Sequence, residues 1–188
     1  MKIFVTTLFL TFLGLIAAGQ SKKDIKANNI KSITVWQSDK IDNSTQTVKE
    51  TYEEFDKHGN TTLKIKFSKT GSISSKETCR YDKNQNKIED IKYDENGKIT
   101  SHKVYVFNYL GRKTEEREFS SDGDIILETI FMYNLAGDKS SEVVTDAKGN
   151  LLKKTEYKYN SKNLKIQKVT IDKISKTDSI KKWAYEFY

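Results

Sequence analysis

The sequence predicts an all-β fold: an antiparallel meander of about 11–12 strands, built from 26-residue units of two hairpins each and forming a curled or solenoid-like sheet. Three observations predict it. Nine tetrads open with Asp, Asn or Ser, and seven of them close with Gly: Asp56 to Gly59, Ser68 to Gly71, Asp82 to Gln85, Asp94 to Gly97, Asn108 to Gly111, Ser120 to Gly123, Asn134 to Gly137, Asp146 to Gly149 and Asn160 to Asn163. Their first positions advance alternately by 12 and 14 residues, so the true period is 26. Finally, no proline interrupts the chain, and proline is what a hydrogen-bonded ladder tolerates least.

Asp, Asn or Ser at the first turn position and Gly at the fourth is the composition of a type I turn, whose side-chain oxygen caps backbone N–H groups. The glycine takes the left-handed conformation that a bulged hairpin loop needs. A further tetrad, Asp172 to Ser175, fits this pattern weakly.

In chain order, Met1 and Lys2 give a short positive start, Ile3 to Ile16 an apolar run and Ala17 to Gly19 small residues, the order of a secretory signal peptide over residues 1–19. The run is short for a bilayer span, so no membrane span is expected once the leader is removed. The sole cysteine, Cys79, rules out both an intrachain disulfide and a lipidated cysteine at the leader junction. Residues 20–46 form a polar N-terminal segment, irregular over 21–32, with Ile33 to Trp36 as an edge strand or cap. The β-hairpin repeat domain is placed at 47–188, beginning with the strand Thr47 to Phe55.

Within the repeats, Cys79/Tyr81, Tyr105/Phe107, Phe131/Tyr133 and Tyr157/Tyr159 set bulky groups two apart, hence on one strand face. A second apolar column, Ile73, Ile99, Ile125 and Leu151, follows the alternate turns. The intervening strands add Ile65/Phe67, Ile91/Tyr93, Val143 and Val169/Ile171, with Arg117 beside Phe119 as an exception. The expectation is one consistently apolar face, with Lys, Glu, Ser and Thr opposite it and Val104, Val106, Ile130, Met132 and Val144 making the middle of that second face greasier. Cys79 falls in a column otherwise filled by Tyr105, Phe131, Tyr157 and Trp183, and reads as a small buried apolar residue. The register carried forward from Tyr157 and Tyr159 puts Trp183 and Tyr185 in a last strand over Lys182 to Phe187. Units of this size cannot bury a face alone, so stability has to come from stacked neighbours.

At "RYDKNQNKI" (Arg80 to Ile88), "KYDENGKI" (Lys92 to Ile99) and "EYKYNSKNL" (Glu156 to Leu164) the chain resembles the YD or RHS-type repeats of bacterial exported proteins, over about residues 51–187. The unit here is longer, and several aspartates are replaced by Asn or Ser. The resemblance implies curved β-hairpin sheets used at cell surfaces, in carbohydrate binding or in enclosing toxins.

Net charge is +7, with acids and lysines interspersed, which suits solvated strand faces and weak attraction to anionic surfaces. With no concentrated basic block, no nucleic-acid partner is expected. His58 lies in a turn and His102 in a strand, neither beside an evident nucleophile, so no catalytic residue is assigned. Too few Cys and His remain for a structural zinc site. Asp82, Asn84 and Asn86 imitate the start of a calcium loop, but Lys87 and Tyr93 stand where its glycine and closing glutamate belong, so turn chemistry accounts for them. No metal or cofactor is assigned.

The one candidate site is a ligand platform on the aromatic column Tyr81, Phe107, Tyr133, Tyr159 and Tyr185, in line with Phe55, whose amphipathic rings suit sugars; the competing reading is a core ladder. The chain therefore reads as a non-enzymatic, exported scaffold in the periplasm, at the cell surface or outside the cell, binding a protein or polysaccharide partner, with exposed edge strands open to self-association. The alternatives are a small outer-membrane β-barrel and an immunity- or inhibitor-like partner protein.

Overall fold

A computed structural model of the protein describes residues 21–41, 44–186 and 188; the leader expected over residues 1–19 lies outside them, as does Phe187. Twelve antiparallel strands form one sheet in strict sequence order: β1 (Ser32–Ile41), β2 (Ser44–Phe55), β3 (Thr61–Phe67), β4 (Ile73–Tyr81), β5 (Lys87–Tyr93), β6 (Ile99–Phe107), β7 (Lys113–Phe119), β8 (Ile125–Tyr133), β9 (Lys139–Asp146), β10 (Leu151–Tyr159), β11 (Lys165–Asp172) and β12 (Thr177–Lys182). Each strand pairs only with its sequence neighbours, which leaves β1 and β12 as free edges and the sheet open.

The turns form as their residues dictate. At Asp82, for example, the Gln85 N–H donates to the Asp82 carbonyl at 3.1 Å, and the Asp82 N–H donates back to the Asn86 carbonyl at 3.0 Å. The Asp82 carboxylate accepts from the N–H groups of Asn84 and Asn86, at 2.8 and 2.9 Å. The fourth position has positive φ in all nine clear turns, including the two without glycine, Gln85 (φ 68°) and Asn163 (φ 58°). Asn tolerates this region. Gln85 is held there because its Oε1 accepts the Asn60 side-chain amide at 2.6 Å, linking two successive turns on the same rim. In the weak tenth turn the left-handed residue is Lys176, one place later than the pattern predicts.

The expectation of one consistently apolar face is corrected by the register. Each of the nine clear turns carries a bulge, so Tyr81 pairs with Lys87, but Arg80 pairs with Glu89 and Cys79 with Asp90. Cross-strand partners then join an odd-numbered residue to an even-numbered one, and the next hairpin repeats the step, with Tyr105 opposite Glu116 and Phe131 opposite Glu142. Directly opposed residues share a face. Hence the rings of the even strands face the same way as Asp90, Glu116 and Glu142. Ile65, Ile91, Val143 and Val169 lie on the other face, opposite Lys76, His102, Ile130 and Glu156. Val144, expected on the polar side, sits on the ring face opposite Thr129.

Both faces are therefore mixed, and the molecule has one layer without a continuous core. Among the described residues only Ile25, Phe55 and Phe131 are buried apolar side chains. The ring face is the drier: Phe55, Phe131, Asp90, Thr155 and Thr170, the buried residues of the ladder, all belong to it.

Two ends depart from expectation. Residues 21–32 are not irregular: Lys22–Ala27 form helix α1, opened by Ser21, whose Oγ accepts the Asp24 N–H at 3.1 Å. It closes with Asn29 at φ 51° and the paired bonds Asn29 N–H to Lys26 O and Ile30 N–H to Ile25 O, a Schellman stop. Ile25 is buried beside Phe55, which locks the helix to the first turn. At the other end β12 leaves the ladder after Lys182, short of the strand expected through Phe187.

Candidate functional site

The aromatic column lies where the repeat puts it, on the last residue of successive even strands, and its hydroxyls are already engaged. Tyr81 donates to the Thr61 carbonyl at 3.0 Å, Tyr133 to Lys113 at 2.6 Å, Tyr159 to Lys139 at 2.8 Å and Tyr185 to Lys165 at 2.8 Å. Each bond spans twenty residues, and the acceptors are themselves spaced by the repeat. Tyr185 keeps this contact although it stands beyond the ladder. Phe107 occupies the same column without a hydroxyl. The first four members are half-buried and Tyr185 is 40% exposed. The result is a row of rings, four of them tied by their hydroxyls to the neighbouring strand.

Beside it runs a second column, Cys79, Tyr105, Phe131, Tyr157 and Trp183, threaded by lysines that recur every 26 residues. Lys113 Nζ lies 4.9 Å from the Tyr105 ring centre and 4.7 Å from that of Phe131; Lys139 lies 4.8 Å from Phe131; Lys165 lies 4.6 Å from Tyr157 and 5.8 Å from Trp183. These are cation–π distances. Three residues after Lys87, Lys113 and Lys139 comes an acid that neutralises the lysine: Lys87 Nζ is 3.1 Å from Asp90, Lys113 is 2.6 Å from Glu116, and Lys139 pairs with Glu142. The next ring then closes the unit, Tyr105 donating to Asp90 at 2.6 Å and Tyr157 to Glu142 at 3.1 Å.

The electrostatics follow from this packing. Burial works to raise the Asp90 carboxyl, but hydrogen bonds from Tyr105 and Lys87 outweigh it and hold the group below the usual carboxylate range. Glu116 is lowered in the same way, with burial opposed by Lys113 and Lys103. Burial and the Asp90 carboxylate drive the Tyr105 phenol far up, while Tyr157 is pushed to about 12 by burial and by Glu142.

Cys79 is half-buried rather than fully buried, with Sγ 3.7 Å from Glu77 Oε1, and burial pushes its thiol up to about 11. A thiol in place of a ring leaves a hollow of about 250 Å³ lined by Glu53, Lys64, Glu77, Cys79, Tyr81 and Lys87. His102 faces the other side, stacked on Phe119 with ring centres 4.8 Å apart and its Nε2 2.9 Å from Glu89. His58 lies in the first turn, where its backbone N–H donates to the capping Asp56 carboxylate at 2.8 Å. Asp82, Asn84 and Asn86 do meet, but the Asp82 carboxylate is occupied by the turn's own N–H groups and by the Asn86 amide at 2.9 Å.

The lysine–acid–ring unit is the feature that reading single columns missed. Lys87, Lys113, Lys139 and Lys165, and Asp90, Glu116 and Glu142, recur at the same 26-residue spacing as the rings. Only the bulge-shifted register shows that they share a face. The distribution of charge went unread as well. Residues 158–182 hold eight lysines and two aspartates, a net +6, and the remaining residues hold 25 bases and 24 acids, a net +1. The basic excess is concentrated in the last strands.

No protein-family model matches the chain, and no curated protein matches it either. Among solved structures it is similar to a chain of the Photorhabdus luminescens Tc holotoxin pore, at 9% identity and a TM-score of 0.45, over 88% of this chain and 10% of that one. A porin-like protein from Bacteroides uniformis matches at 14% identity and a TM-score of 0.43, over 80% of this chain and 58% of the other. A Bacteroides fragilis protein of unknown function matches at 13% identity and a TM-score of 0.24, over 83% and 93% of the two chains. This chain thus spans about a tenth of the toxin chain. The functional reading rests on this chain's own residues.

Proposed function

We propose that the protein is an exported, non-enzymatic β-hairpin repeat scaffold that binds a glycan or protein ligand at the cell envelope or outside the cell, through the ring face of its open sheet. The observation that carries this reading is the row of Tyr81, Phe107, Tyr133, Tyr159 and Tyr185, spaced by the repeat and partly exposed, its four tyrosines held by bonds to the neighbouring strand. Rings fixed in advance lose little freedom when a ligand lands on them. The charged groups beside them are tied up in mutual ion pairs, which suits a recognition surface better than a reacting centre.

A membrane barrel is disfavoured by charge on both faces: Lys87–Asp90 on one, and Arg80–Glu89 and Arg117–Glu128 on the other, leave no apolar band for lipid. No helix among the described residues is long and apolar enough to cross a membrane. The test is a glycan array and an envelope-extract pull-down with the full chain and with Tyr133→Ala/Tyr159→Ala. Binding lost in the double variant, with its β-sheet circular dichroism retained, is the expected result. A ligand bound equally well by both proteins, or a robust hydrolase activity in the wild type, would overturn the reading.

A further inference from the structure

The repeat breaks at its last unit, and the break changes the chemistry of the surface. Counting 26 residues on from Asp90, Glu116 and Glu142 leads to Lys168. Where Glu142 neutralises Lys139, Lys168 instead adds a second cation beside Lys165, and both ammonium groups lie over the Tyr157 ring, at 5.8 and 4.6 Å. Lys168 is also directly opposite Lys181 on β12, on the same face. Opposed like charges in a sheet cost stability, so the fold alone gives no reason for this pair. Among the described residues, no carboxylate lies within ion-pair distance of Lys165, Lys168 or Lys181.

Edge protection explains part of the lysine excess. Charged side chains on a free edge discourage pairing with other sheets, and this covers Lys176, Lys181 and Lys182 on or beside β12. It does not cover Lys165 and Lys168, which belong to the interior strand β11. At the same end of the face stand Trp183 and Tyr185, 38% and 40% exposed, and Tyr185 is tied by its hydroxyl to Lys165 O at 2.8 Å.

Resting on the scaffold reading above, we propose that the ring face over β10–β12 binds a linear acidic polysaccharide, with its carboxylate or sulfate groups on Lys165, Lys168 and Lys181 and its sugar rings against Trp183 and Tyr185. An open, unwalled strip of point cations edged by flat amphipathic rings fits an extended chain of charged sugars. The cations are all lysine, compact point charges on flexible stems that can follow an irregularly spaced row of anionic groups, and residues 158–182 hold no arginine.

The test uses Lys168→Glu, which restores the acid of the earlier units. It removes the like-charge pair with Lys181 and gives Lys165 a partner, so its urea midpoint is expected to equal or exceed that of the wild type. Unfolding therefore cannot imitate loss of binding. Calorimetric titration with polygalacturonate and with heparin is expected to show binding that weakens at least tenfold in Lys168→Glu and falls steeply with added salt, as exposed charge contacts do; Trp183→Ala is expected to weaken it without changing the salt slope. Unchanged binding by Lys168→Glu overturns the inference. Tighter binding to a single-stranded oligonucleotide or to anionic vesicles than to either polysaccharide also overturns it, in favour of those partners. A neutral glycan or protein bound equally by wild type and Lys168→Glu overturns this inference but leaves the scaffold reading standing, whereas failure of every ligand class on array and pull-down removes the scaffold reading itself.

Discussion

Replacing Asp90 by Ala tests whether the lysine–acid–ring unit holds the sheet together. Asp90 is 4% exposed and accepts the Tyr105 hydroxyl at 2.6 Å and the Lys87 ammonium at 3.1 Å. A hydrogen bond to a charged group contributes about 1.5–3 kcal/mol. The Lys87 contact adds at most about 1 kcal/mol, because the lysine side chain is 38% exposed and solvent screens it. The expected loss is about 2–3 kcal/mol at pH 7, or a urea midpoint lower by roughly 1 M for a slope of about 1–3 kcal/mol per molar. Tyr105→Phe removes one of the same bonds and is expected to cost about 1.5–3 kcal/mol, and the double variant less than the sum of the two. The sign of the pH effect follows from the lowered carboxyl. Its stabilisation is present above the unfolded value near about 3.9 and disappears as pH falls through the lower folded value, so the gap between wild type and Asp90→Ala narrows in acid. A gap under about 0.5 kcal/mol at pH 7, within the range of ordinary surface substitutions, would show that the ladder of rings and charges does not stabilise the sheet.

Four further outcomes follow from the same packing. Gly97→Ala, at φ 79° with open space around it, is expected to lower stability by about 1–2 kcal/mol. Gly59→Ala carries the same backbone strain and adds a Cβ 2.6 Å from the Lys22 carbonyl, so it should cost more and expose α1 to proteolysis; equal losses would place the helix away from the turn. Gln85→Gly relieves the left-handed strain but breaks the bond to Asn60, so its stability change is expected to fall short of the about 1 kcal/mol that strain relief alone would give, and a full gain would mean that the clasp contributes nothing. Alkylation of Cys79 at pH 8 should run about 200-fold slower in the folded protein than in urea, from the fall in thiolate between a thiol near 11 and an ordinary one; similar rates would mean that the hollow beside it is open to water.

Nine of the turns were legible in the sequence because their chemistry is local: a capping oxygen, a left-handed fourth residue and a fixed spacing suffice to place those chain reversals. The sequence also located the ring columns, since alternation within one strand is local too. The face shared between strands was misread because it depends on register. The bulge at each of the nine clear turns shifts the pairing by one residue and puts Asp90, rather than Glu89, opposite Cys79. Helix α1 was signalled by Ser21 with Asp24 and by the Asn28–Asn29 stop, but six residues carry too little periodicity to stand out. Beside the ring columns, the lysines and acids read in the sequence as a solvated face, because nothing within one strand shows that they share the rings' side.

The shared face of rings and carboxylates is the point on which the account turns, and nuclear Overhauser contacts of the Phe131 ring test it most directly. The predicted contacts run to the side-chain methylenes of Lys113, Lys139 and Glu142. Contacts from that ring to the methyl groups of Ile130 or Val143 would instead place the rings against the aliphatic columns, and would contradict both the register and the binding surface built on it.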